Sequence, residues 1–88
     1  MKEEIDVNKL LPIGSVVKLK EVEKPVMIYG RKQKQTSTKR EYDYVAVPYP
    51  EGNISEEYNV FFNRNMIKEV LHKGCETEEE QKLRQELE

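Results

Sequence analysis

Apolar residues along this chain arrive in short runs with the periodicity of strands. Leu10 to Lys20 reads LLPIGSVVKLK, in which Val17 and Leu19 alternate with Lys18 and Lys20. Alternation at period two marks a strand with one buried face, its lysines on the solvent side. Pro12 and Gly14 place a bend before it, and Pro25 prevents the strand from running on past the charged connection Glu21 to Lys24. Val26 to Tyr29 is again β-prone, and Gly30 permits a bend or bulge. A hairpin is the economical reading of these two runs.

Arg31 to Glu41, RKQKQTSTKRE, has no apolar residue and reads as an exposed loop or a long hairpin tip. In Tyr42 to Ile54, YDYVAVPYPEGNI, residues Tyr42, Tyr44 and Ala46 share one face of an extended segment, with Asp43, Val45 and Val47 on the other. Pro48 ends that strand or confines it to an edge. Pro50-Glu51-Gly52 suits a type I turn, and a fourth β-prone run, Tyr58 to Phe62, follows.

The next segment carries helix signals. Asn63 can cap, and Phe62 and Ile67 are placed for a hydrophobic staple. Met66, Ile67, Val70 and Leu71 fall on one helical face, and Gly74 is a natural stop, so the pattern predicts a short helix over Asn63 to Lys73. Thr77 with Glu80 matches a capping box, and Glu78 and Glu79 suit the positive end of a second helix. That helix has only Leu83 and Leu87 for an apolar stripe, so it docks weakly or frays. The order predicts an α+β, mainly β, domain: about four strands in a strongly twisted, partly curled antiparallel sheet, with a short helix and a C-terminal helix. The expected organisation is a flexible terminus over 1–9, one globular domain over 10–75, and a charged helix or tail over 76–88.

Charge and composition narrow the function. The 88 residues fit one domain with a modest core. Residues 1–50 hold ten basic and seven acidic side chains, a balance of +3, and residues 51–88 hold five and ten, a balance of −5. Arg31, Lys32, Lys34, Lys39 and Arg40 form the basic extreme, beside Tyr29, Tyr42 and Tyr44. Basic side chains next to aromatic rings on a small sheet are a single-strand binder's equipment. The overall acidity, with a pI of about 5.5, stands against it, so nucleic-acid binding is the second reading. Some of the five tyrosines must be core, because two phenylalanines cannot fill one. Tyr49, between two prolines, is the ring best placed for exposure, and Tyr49, Pro50 and Glu51 form a stiff corner that could anchor a partner.

Enzyme chemistry finds no support. His72 and Cys75 are the single His and the single Cys, too few for a zinc site, and read as a helix-end His and an unpaired thiol. Gly30, Gly52 and Gly74 stand alone rather than in a phosphate-cradling loop. No cofactor is expected. One cysteine and a charged N-terminal stretch without a long apolar run suggest a cytoplasmic protein with no membrane insertion, as a monomer or an edge-paired homodimer.

The stretches LLPIGSVVKLK, VMIYGR, YDYVAVPYPEGNI and YNVFFNRNMIKEVLHKG together resemble one family. It consists of small bacterial domain-of-unknown-function proteins with the pattern LPIGSVV-x-LK, MI-x-G, YDY-x-x-x-x-YPEG and FFN, then an I-x-x-V helix ending in Gly. The resemblance covers roughly Leu10 to Gly74, and departs from the pattern at the basic stretch Arg31 to Glu41 and after Cys75. It implies a setting near Gram-positive type VII secretion loci and LXG-type toxins, whose accessory proteins act as cytoplasmic adaptors or chaperones. The protein partner would then be a secreted toxin or a secretion component. The resemblance supplies no catalytic residues.

Overall fold

The computed structural model describes residues 9–88. Five strands form one open antiparallel sheet: β1 (Val16–Leu19), β2 (Val26–Gln35), β3 (Arg40–Pro48), β4 (Val60–Phe62) and β5 (Ile67–His72). Their order across the sheet is β4-β3-β2-β1-β5, and one helix, α1 (Glu78–Leu87), follows. The sheet therefore has five strands rather than the four read from the sequence. In a flat sheet four spacings of ~4.8 Å would hold β4 and β5 ~19 Å apart. They are joined only by a 3-10 turn, Arg64–Met66, whose residues rise ~2 Å each. The sheet must roll to let that connection close.

The helix expected over Asn63 to Lys73 is instead the 3-10 turn and β5. Two register shifts in the β1–β5 pairing explain the error: Leu19 faces Ile67, Lys18 faces Glu69, Val17 faces Val70 and Val16 faces His72. Lys68 and Leu71 are thus extra residues on β5. In a regular strand Ile67 and Val70, three apart, would point to opposite faces. A bulge between them returns both to the core side, which imitates a helical spacing. The strand is also demanded by its neighbour, since without β5 the outer edge of β1 would be unpaired.

The core lies on one face of the sheet: Val17, Leu19, Val26, Ile28, Tyr44, Ala46, Phe62 and Ile67. The Tyr44 and Phe62 rings meet there at a 5.3 Å centroid separation. Gly30 sits at a register shift in the β2–β3 pairing, and a side chain there would run into Val45. β3 ends at Pro48 as its missing amide requires.

Two pieces outside the sheet cover the core face: the dipeptide Leu10–Leu11, both residues buried, and α1, through Leu87. The Leu11 amide donates to the Tyr44 hydroxyl at 2.8 Å and the Leu10 amide to Glu88 Oε1 at 2.9 Å. Arg31 and Arg84 reach the Leu11 and Leu10 carbonyls, each at 3.4 Å. The helix opens as expected, with Thr77 Oγ1 accepting the Glu80 amide at 3.1 Å. Buried Ser15 ties the far end of β5 back: its hydroxyl donates to the Pro12 carbonyl at 2.8 Å and accepts the Gly74 amide at 3.0 Å. A Cβ on Gly74 would lie 2.2 Å from the Ile13 carbonyl oxygen, so only glycine fits there.

Tyr44→Phe keeps the ring and strands the Leu11 amide in the core. An unsatisfied buried donor costs about 1–3 kcal/mol. Urea unfolding should show that loss as a lower midpoint at unchanged slope; an unaltered midpoint would mean the Leu11 amide finds another acceptor.

Candidate functional site

The β2–β3 hairpin divides the residues that the sequence marks as candidate contacts into two groups. At its tip, β2 runs to Gln35 and β3 starts at Arg40, so the basic stretch is a hairpin end with a turn at 36–39. The Lys39 amide closes that turn onto the Gln35 carbonyl at 2.8 Å. Lys34, Lys39 and Arg40 are exposed. Arg31 is not: it is 7% exposed, and its guanidinium donates to Glu80 Oε1 of α1 at 2.8 Å. Lys32 pairs with Asp43 at 3.5 Å. Tyr44 is fully buried, and Tyr42 is half-buried with its ring 5.9 Å from that of Phe61. Three exposed cations therefore remain at the tip, without the row of displayed rings that stacking on bases would use.

Asp43 gathers more than Lys32. Its Oδ2 accepts the Arg64 amide at 2.9 Å and the Arg64 Nε–H at 3.2 Å. Burial alone would raise its pKa, but the Arg64 amide and guanidinium, with Lys32, outweigh burial and hold it below the ordinary carboxylate value.

At the opposite end of the hairpin lies the corner Pro48 to Gly52. The Tyr49–Pro50 peptide is cis, and the Gly52 amide donates to the Pro48 carbonyl at 2.7 Å. This replaces the type I turn expected from Pro50 and Gly52. Gly52 has φ +81°, a backbone region that glycine enters without steric cost. The Tyr49 amide donates to the Pro25 carbonyl at 3.0 Å, fixing the corner to the start of β2. Glu51 pairs with Lys24, and that hydrogen bond lowers its carboxyl from the ordinary value.

Two concavities flank this corner and share no residue. The first, of about 540 Å³, is lined by Gly14, Val16, Pro25, Met27, Tyr49, Leu71 and His72. The second, of about 580 Å³, lies between the β1–β2 loop and the β3–β4 loop. Its lining includes Val26 and Val60, which belong to the core or pack against it. Val22, Pro48, Ile54 and Tyr58 also line it, with Lys24, Glu51 and Glu57. Val22 is 41% exposed, Tyr49 46%, Tyr58 54% and Ile54 59%.

Sequence reasoning reached Tyr49, Pro50 and Glu51 but passed over Val22, Ile54 and Tyr58. The signal was a lone apolar residue in each of two polar loops, Val22 among charges and Ile54 after Gly52-Asn53. Its meaning depends on the pairing of Val26 with Pro48, which brings the two loops side by side. His72 lines the first concavity from β5, and Cys75 is exposed beyond it.

The fold and this corner define a small open-sheet domain with an apolar, partly solvent-exposed end. Residues 10–83 match the model of the domain of unknown function DUF4176, most of the chain, and the protein belongs to that family. No curated protein and no solved structure matches it. Among the described residues no helix is long and apolar enough to cross a membrane.

The Asp43 carboxylate sets a pH dependence whose sign follows from its lowered pKa. Its contribution is complete above its unfolded-state value, near pH 4, and is lost as pH falls through the lower folded value. Asp43→Asn retains an acceptor for the Arg64 amide but removes the charge. Urea midpoints should place Asp43→Asn below wild type at pH 7, with the gap closing below about pH 4. A gap that stays constant down to pH 2 would assign the loss to packing rather than charge.

Proposed function

We propose that this protein is a non-enzymatic protein-binding module that takes up a partner segment at the Pro48 to Gly52 corner. The observation that carries this reading is the clustering of exposed large apolar side chains. Of nine such residues among those described, Val22, Tyr49, Ile54, Tyr58 and Leu71 line one or other of the two concavities beside the corner. Exposed apolar surface concentrated in one region of a small domain marks an interaction site, and partly exposed tyrosines are favoured anchors.

The setting we propose comes from the family resemblance: a cytoplasmic adaptor or chaperone for a type VII-secreted LXG-type toxin. A single-stranded nucleic-acid binder using residues 31–40 is the second reading, supported by Lys34, Lys39 and Arg40 at the hairpin tip. It is the weaker one, since Arg31 and Lys32 are engaged with Glu80 and Asp43.

Affinity purification of the tagged protein from its native cell, with its neighbouring operon expressed, should retain an exported toxin or a secretion component identifiable by mass spectrometry. Failure to retain either would end the adaptor reading. Binding to an unstructured oligonucleotide at low salt, weakening steeply as salt rises, would favour the second reading instead.

A further inference from the structure

The two concavities beside the corner differ in the charge around them. The one on the Tyr49 side has no carboxylate in its lining among the described residues. The other has a floor of Val26 and Val60, walls of Val22, Pro48, Ile54 and Tyr58, and Lys24, Glu51 and Glu57 at its margin. The loops that enclose it are acidic. Residues 20–25 and 49–59 contain Glu21, Glu23, Glu51, Glu56 and Glu57 against Lys20 and Lys24, five acids to two bases, a balance of −3. Lys24 is paired with Glu51, whereas Glu21, Glu23, Glu56 and Glu57 enter no ion pair among the described residues. Glu57, which lines the concavity, and its neighbour Glu56 belong to a 3-10 turn that Ser55 caps, its hydroxyl accepting the Glu57 amide at 3.3 Å.

We propose that this concavity binds a cationic protein segment in which large apolar side chains stand next to Lys or Arg. The apolar groups seat over Val26 and Val60, between Ile54, Tyr58 and Val22. The basic groups meet Glu57, Glu56 and Glu23. The proposal rests on the protein-binding reading above and deepens it by naming the partner's chemistry.

Three observations select this occupant. The volume, about 580 Å³, is within the range of roughly 300–1,000 Å³ typical of ligand sites. Its walls are nevertheless half-exposed side chains from two loops, which suits side chains presented by a larger body rather than an enclosed small molecule. Surplus carboxylates repel phosphates, so neither nucleic acid nor an anionic lipid surface fits. The chain's own basic stretch, Arg31 to Arg40, contains no apolar residue and so does not match this occupant. Carboxylates at the rim would speed encounter and select partners, while the apolar floor supplies affinity.

The test uses three fluorescein-labelled twelve-residue peptides, one of Leu and Lys, one of Leu and Glu, and one of Ser and Lys. Binding is followed by anisotropy, and amide shifts report the location. The Leu/Lys peptide should bind at least tenfold more tightly than the other two and shift Val22, Val26, Ile54 and Tyr58. Ile54→Ser with Tyr58→Ser, both exposed in the wild type, should weaken it at least tenfold at an unchanged urea midpoint. Glu56→Lys with Glu57→Lys should weaken it and flatten its salt dependence. Equal binding of the Leu/Glu peptide, or shifts confined to the hairpin tip or the Tyr49 side, would overturn the proposal. So would a concentration-dependent dimer in sedimentation that Ile54→Ser with Tyr58→Ser abolishes, since the occupant would then be a second copy.

The two readings fail separately. A native partner retained equally by wild type and by Ile54→Ser with Tyr58→Ser sinks this site and leaves protein binding standing. Site-specific Leu/Lys binding with no partner recovered from the native cell sinks the adaptor reading and leaves the surface assignment intact.

Discussion

The structure depends on the burial of two residues that belong to no strand or helix. Leu10 and Leu11 lie under the sheet's inner face, and a buried dipeptide brings two amides and two carbonyls with it. Each of the four must find a partner or cost the fold a stranded polar group. All four go to side chains: Tyr44 and Arg31 from the sheet, Arg84 from α1 and Glu88 from its C-cap. The dipeptide is thus the piece through which sheet and helix are held in register with each other. The helix has little apolar surface of its own to offer, Leu87 packing on the core while Leu83 stays exposed, so its docking rests on these polar ties.

That arrangement explains an otherwise costly choice, an arginine on the core side of a central strand. Arg31 gives up solvent, and a buried guanidinium without partners would be strongly destabilising. It is tolerated because Glu80 supplies the counter-charge, with the side chains 3% and 11% exposed. Such a pair is weak evidence of net stability, since desolvation opposes attraction. Its geometric content is clearer: it specifies where along β2 the helix begins. A second ion pair, Arg64 with Glu88 at 3.0 Å, fixes the other end.

Much of the sheet was legible in the sequence, and the illegible parts have physical causes. Period-two alternation located β1 and β3, Pro48 ended β3, Gly30 marked a bulge, and Thr77 capped α1, because each is a local rule acting on local residues. β5 was misread because its two bulges convert the alternation of a strand into helix-like spacing, and bulges are set by the partner strand. Arg31 read as surface charge because its counter-ion is 49 residues away in the chain. The Pro48 to Gly52 corner was visible, but Val22, Ile54 and Tyr58 acquire a common role only when the hairpin brings their loops together.

The charge asymmetry of the chain is redistributed by folding. Read linearly, a basic first half faces an acidic tail. In the fold the tail meets cations: Glu80 is taken by Arg31, Glu88 by Arg64, and Glu76 by Lys73 and Arg84. Half of the tail's carboxylates are therefore spent inside the molecule as the means of seating α1, while Glu78, Glu79 and Glu86 stay exposed. The carboxylates of the β1–β2 and β3–β4 loops are outnumbered in sequence by those of the tail, yet among the described residues Lys24 alone pairs with any of them, through Glu51. Beside the apolar end of the sheet, exposed apolar side chains and carboxylates outside any ion pair can therefore act on the same ligand.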